Sequence, residues 1–176
     1  MGAYDRAPML PVAVGFYDVS VAIHVMAAIV AFGPLFAFPL FISITERRDR
    51  LSLPVVLRAV NRTERAIVVP VGALVGFTGV YLAIDGPFAF DDDLWMTIGF
   101  VLYLLAFGAL VLVVEPMRAQ AADEADRMLD EAEDEDEEDL PLWDAYHARM
   151  RVPNALMPAI GIVLLFVVYL MEVKPG

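Results

Sequence analysis

The chain has 176 residues, of which 60% are hydrophobic, and its mean hydropathy is +0.66. Soluble domains use roughly 45–50% apolar residues, so a soluble globular protein is excluded and the bilayer sets the architecture. The net charge is −12 and cysteine is absent, which removes disulfides, thiolate metal sites and thioether-linked haem.

The first 18 residues lack the basic leader of a cleavable signal, and none is expected. A first membrane span is predicted over 19–44, since crossing by helix takes about 20 mostly apolar residues. About one turn into it stands His24, the only residue titrating near neutral pH inside any of the chain's long apolar runs. An unpaired ionisable group in hydrocarbon costs at least ~2.5 kcal/mol, which singles this histidine out as a candidate functional residue. Ala27, Ala28 and Ala31 follow at i+3, i+4 and i+7. His24 therefore belongs to a small-residue face suited to a neighbouring helix, with a satisfied interhelical hydrogen bond as the alternative to a ligand role.

The connection after this span carries Arg47, Arg48, Arg50, Arg58, Arg62 and Arg65. Arg58, Arg62 and Arg65 recur at helical spacing and are expected as a lipid-facing basic stripe anchoring the chain near anionic headgroups. Span 2 is predicted over 66–84. Its Gly72, Gly76, Gly79 and Ala83 form a narrow stripe for packing inside the bundle or, alternatively, across a homodimer. The short 85–93 connection has no basic residue, and Asp91, Asp92 and Asp93 are expected as a solvated turn rather than a cation site.

Span 3 is predicted over 94–114, with Trp95 at the membrane–water interface. Residues 117–140 form an acidic connection that begins as a helix. Of the chain's 24 acidic residues, 12 lie between Asp123 and Asp139, and such a run is ordinarily solvated and self-repelling. Leu142, Trp143, Tyr146 and Met150 share one helical face, predicting a short amphipathic helix lying on the membrane surface. Span 4 follows over 152–171. Pro34, Pro39, Pro70, Pro153 and Pro158 are expected to kink or loosen their helices.

The fold expected is an all-α, four-transmembrane-helix bundle forming a single membrane domain over 1–176. The two long connections hold ten Lys and Arg residues, against two at the termini and none at 85–93. Basic residues mark the cytoplasmic side, so the N-terminus and C-terminus are expected outside. Beside the bilayer, these residues offer nothing for nucleic acid.

The chemistry centres on His24. Imidazole binds metals and haem iron, which leaves haem b and copper as candidate cofactors. His147 lies toward the other face, roughly 20 Å away across a ~30 Å core, and is no partner for bis-histidine ligation. Met96 begins span 3 and Met171 ends span 4 in the depth zone of His24, and thioethers beside imidazole suit Cu(I).

The first-span run IHVMAAIVAFGPLF, with Thr78-Gly79 in span 2 and the terminal MEVKP, resembles the copper-resistance D-like superfamily of membrane proteins. Within it the likeness is to a small four-span integral membrane family of unknown function. The resemblance implies for His24 the place of a first-span histidine. Distant relatives include the J-type membrane protoporphyrinogen oxidase, which also uses a lysine in a later span, whereas spans 2 to 4 hold none here. Three functions are thus expected in descending order: a membrane protein holding haem b or copper through His24, a non-enzymatic subunit docking a membrane-protein or cytoplasmic partner through its acidic loop, and a membrane oxidoreductase. The cytoplasmic membrane of a prokaryote is the expected location.

Overall fold

The computed structural model describes residues 15–49, 52–86, 94–131 and 141–174, and the side chains of all of these but 128–131 and 141–143. Helix α1 spans Phe16–Arg48, α2 Leu53–Thr63, α3 Val69–Asp85, α4 Leu94–Ala109, α5 Glu115–Glu131 and α6 Pro141–Val173. The Gly15 amide donates to the Asp18 carboxylate at 3.0 Å to start α1, and the Asp49 amide donates to the Thr45 carbonyl at 2.8 Å to close it. Ser52 is tied back to Asp49 by its hydroxyl at 2.6 Å, and Pro54 occupies the first turn of α2, where no amide hydrogen is needed.

Two π-helical turns join these helices into longer rods. Glu64–Val68 links α2 to α3 just before Pro70, and Leu110–Val114 links α4 to α5 just before Pro116. In each, an amide reaches the carbonyl five residues back, Val69 to Glu64 and Glu115 to Leu110. A proline removes one amide and crowds the carbonyl four residues earlier, and the wider turn accommodates both. Pro34 and Pro39 in α1, and Pro153 and Pro158 in α6, lie inside unbroken helices.

Among the described residues, four rods are long and apolar enough to cross a membrane: Phe16–Arg48, Leu53–Asp85, Leu94–Arg127 and Asp144–Val173. A 33-residue helix such as α1 or α6 is about 50 Å long, against a hydrocarbon core of ~30 Å. The surplus appears at the end opposite both chain termini, where α2, α5 and the first turns of α6 pack together beyond the apolar spans. Leu53, Leu57 and Val60 of α2 are buried with Ala121, Ala122 and Ala125 of α5 and with Tyr146 and Met150 of α6.

That packing corrects one expectation. The segment from Leu142 to Arg151 does not lie flat on a membrane surface but runs straight into span 4 as part of α6. The described part of its apolar face is buried in the core with α2 and α5, with Tyr146 0% and Met150 1% exposed, while the Leu142 and Trp143 side chains lie outside the described residues. Within the spans, α1 packs on α3 and α4 on α6. Phe77, Leu112, Ile84 and Ile162 stand outward, which is the exterior a bilayer requires.

The glycine stripe of span 2 packs inside this bundle. A methyl at Gly72 would come within 2.6 Å of the Phe107 ring, one at Gly76 within 3.1 Å of Tyr103, and one at Gly79 within 3.3 Å of His24. These glycines let α1 and α4 side chains approach the α3 backbone closely, as small residues do in membrane interiors.

Candidate functional site

At the end of the bundle where α1 begins and α6 ends, α1, α3, α4 and α6 line a cavity of ≈ 60 Å³. His24, Met96 and Met171 all line it, from three separate helices. Gly76, Gly79 and Gly99 thin its walls, and Trp95, Phe100 and Tyr103 supply the aromatic surface. Trp95 is buried and turned to this cavity rather than standing in a lipid-facing belt.

The orientation of His24 follows from its partner. Nδ1 lies 2.8 Å from the Thr78 hydroxyl oxygen. That hydroxyl has one hydrogen, already directed to the helix carbonyls of Leu74 at 2.8 Å and Val75 at 3.2 Å. With the hydroxyl hydrogen on a helix carbonyl, Thr78 accepts and Nδ1–H of the imidazole donates. In that tautomer Nε2 keeps the free lone pair that a metal ligand needs. On the adjoining wall the Tyr103 hydroxyl donates to the Gly72 carbonyl at 2.5 Å, and its ring stacks on Phe107 at 5.7 Å.

The cavity is small beside the roughly 300–1,000 Å³ of sites for drug-sized ligands, a size closer to that of a single ion than of a porphyrin. The lining holds one imidazole, two thioethers and no carboxylate. Among the described residues no three His, Cys, Asp or Glu side chains gather as a hard-metal site would require.

The opposite end holds a polar cluster that hydropathy does not reveal. Arg118 of α5 pairs with Glu64 at the head of the first π turn, and both side chains are 1% exposed. Next to them Arg65 pairs with Glu115, which follows the second π turn. Tyr146 sits close enough to Arg118 and Glu46 to feel both charges. Glu64 Oε2 and Arg118 Nε are buried without a hydrogen-bond partner. Glu64 lies two residues before span 2 and Arg118 four after span 3, just outside any hydropathy window. Only the length of the rods would have drawn them in.

Of the three arginines in the basic stripe, Arg58 reaches Asp126 at 2.8 Å and Arg65 reaches Glu115, while Arg62 points outward. The acidic run is partly occupied as well, since Glu124 holds Arg149 at 2.7 Å and Asp126 holds Arg58. His147 lies beside Glu46 at 3.2 Å, on the far side of the bundle from His24. Asp91, Asp92 and Asp93 and the acids of 132–140 lie outside the described residues, as does the Trp143 side chain.

A family model described as "Predicted integral membrane protein (DUF2269)" matches residues 19–175. No curated protein and no solved structure matches the chain.

Proposed function

The chain belongs to this family of integral membrane proteins, and we propose that it binds one Cu(I) ion through His24 Nε2 and the thioethers of Met96 and Met171. One observation carries the reading: three residues far apart in sequence line a single cavity in which the Thr78 hydroxyl lies 2.8 Å from the imidazole Nδ1. Soft thioethers select Cu(I) over the commoner hard cations. Charge points the same way. With neutral ligands only, the bound ion keeps its full charge in a low-dielectric setting, where the desolvation penalty rises with the square of the charge. A monovalent ion is favoured over Zn(II) or Cu(II). The site supplies binding and shielding of a soft ion rather than acid–base chemistry, since its lining brings no carboxylate.

The excess of arginine at the opposite end supports an orientation with both termini and the copper site facing outward, in the cytoplasmic membrane of a prokaryote. Arg58, Arg62 and Arg65 then lie at the cytoplasmic headgroups. A docking role for the acidic loop has less support, because Glu124 and Asp126 already serve internal pairs.

The test is a competition titration of the purified full-length protein against a chromophoric Cu(I) chelator. One Cu(I) per chain is expected, with loss of binding in His24→Ala and weakened binding in Met96→Leu and Met171→Leu. Metal-free protein, or retention of copper by His24→Ala, would overturn the reading. A Soret band after haem supplementation would do so too.

A further inference from the structure

The opposite end of the bundle carries a second opening, independent of the copper site. Between α1 and α6 lies a cleft of ≈ 680 Å³. Its lining is graded along the bundle axis. Pro39, Ile42, Ser43 and Asn154 belong to the ends of the apolar spans, and Glu46, Arg47 and His147 lie beyond them. The apolar run of span 1 ends near residue 44 and that of span 4 begins near 152, so this change of polarity falls at the edge of the hydrocarbon.

Arg58, Arg65, Arg118 and Arg149 are each held by a carboxylate of the bundle. Arg47, Arg48, Arg62, Arg127 and Arg151 are exposed and have no ion pair among the described residues, and two of these, Arg47 and Arg151, lie at or beside the cleft. Arg47 lines the cleft, and Arg151 stands one turn from His147 on α6. Glu46, the single carboxylate in the lining, lies 3.2 Å from His147 Nδ1 and is taken up by that contact.

We propose that this cleft binds the headgroup of an anionic phospholipid, its phosphate on Arg47 and Arg151 and its acyl chains descending past Ile42 and Pro39. Guanidinium groups take phosphate oxygens in paired hydrogen bonds, and Ser43 and Asn154 offer further donors in the lining. A free phosphate would match the arginines and leave the apolar floor unused. A lipid uses both, and basic pockets between membrane helices at the headgroup level have this character.

The test uses the full chain in detergent, followed by native mass spectrometry and thermal unfolding as phosphatidylglycerol or phosphatidylcholine is added. Phosphatidylglycerol should be retained as a discrete adduct and raise the unfolding midpoint, with phosphatidylcholine and inorganic phosphate doing neither. The double variant Arg47→Gln/Arg151→Gln should weaken phosphatidylglycerol retention roughly thirtyfold. Arg127→Gln, an exposed arginine on α5 far beyond the span, should change nothing. Equal retention of the two lipids, a midpoint shift from inorganic phosphate alone, or undiminished retention by the folded double variant would each overturn the proposal. If the double variant does not fold, the selectivity of the unaltered protein between the two lipids decides.

Discussion

Arg118→Leu is expected to destabilise the bundle by about 3–5 kcal/mol, the loss found when one partner of a buried ion pair is removed. Both Arg118 and Glu64 are 1% exposed, so the surviving carboxylate would be stranded away from water. Burial decides the size of the effect. Arg58–Asp126 has the same chemistry, but the arginine side chain is 59% exposed, and exposed pairs are worth only about 0–1 kcal/mol. Arg58→Ala should therefore be nearly silent. The double variant Glu64→Leu/Arg118→Leu should recover most of the loss, because well-packed apolar replacements of a buried pair are often neutral. Glu64 Oε2 and Arg118 Nε find no hydrogen-bond partner, so the native pair is itself incompletely compensated. Unfolding in mixed micelles measures all four proteins. A double variant less stable than Arg118→Leu would refute this account of the cluster.

Thr78→Val is expected to lower Cu(I) affinity about 10–100-fold while leaving the cavity volume nearly unchanged. Partners that orient a ligating histidine carry effects of this size. Without the hydroxyl at 2.8 Å, nothing fixes Nδ1 as the protonated nitrogen, and the imidazole loses both orientation and tautomer. Thr78→Ser restores an acceptor at the same position and should restore most of the affinity. The comparison separates hydrogen bonding from packing, since valine keeps the bulk of threonine and serine keeps its oxygen. Affinity unchanged in Thr78→Val would mean that the imidazole is held by something else.

The four rods were legible because each apolar run is long enough to cross a bilayer. His24 stood out because titratable groups in such runs are rare. Matching depths joined Met96 and Met171 to it, and all three line one cavity. The same reckoning would have reached Thr78, six residues from the last residue of span 2 as His24 is five from the first of span 1. It was missed because a lone threonine in an apolar run carries no signal of its own. Trp95 was misjudged for a related reason. Hydropathy places a residue in depth but not around the helix, and lipid tails give no apolar preference for one face over another.

The polar end was the least legible. Glu64, Glu115 and Arg118 belong to segments that a hydropathy profile assigns to loops, yet they continue the membrane helices as a small water-facing bundle. Its signals were present but scattered: Pro54 opening a helix, Ala121, Ala122 and Ala125 at helical spacing, and Tyr146 with Met150 on one face. Only their pairing across α2, α5 and α6 turned the Tyr146 and Met150 face away from lipid.

X-ray absorption spectroscopy of the copper-loaded protein tests the central claim most directly. One nitrogen and two sulfur scatterers around Cu(I) are expected, with the nitrogen contribution lost in His24→Ala and one sulfur lost in either methionine variant. A copper shell of nitrogen and oxygen alone, or one unchanged by these substitutions, would contradict a site built from His24, Met96 and Met171.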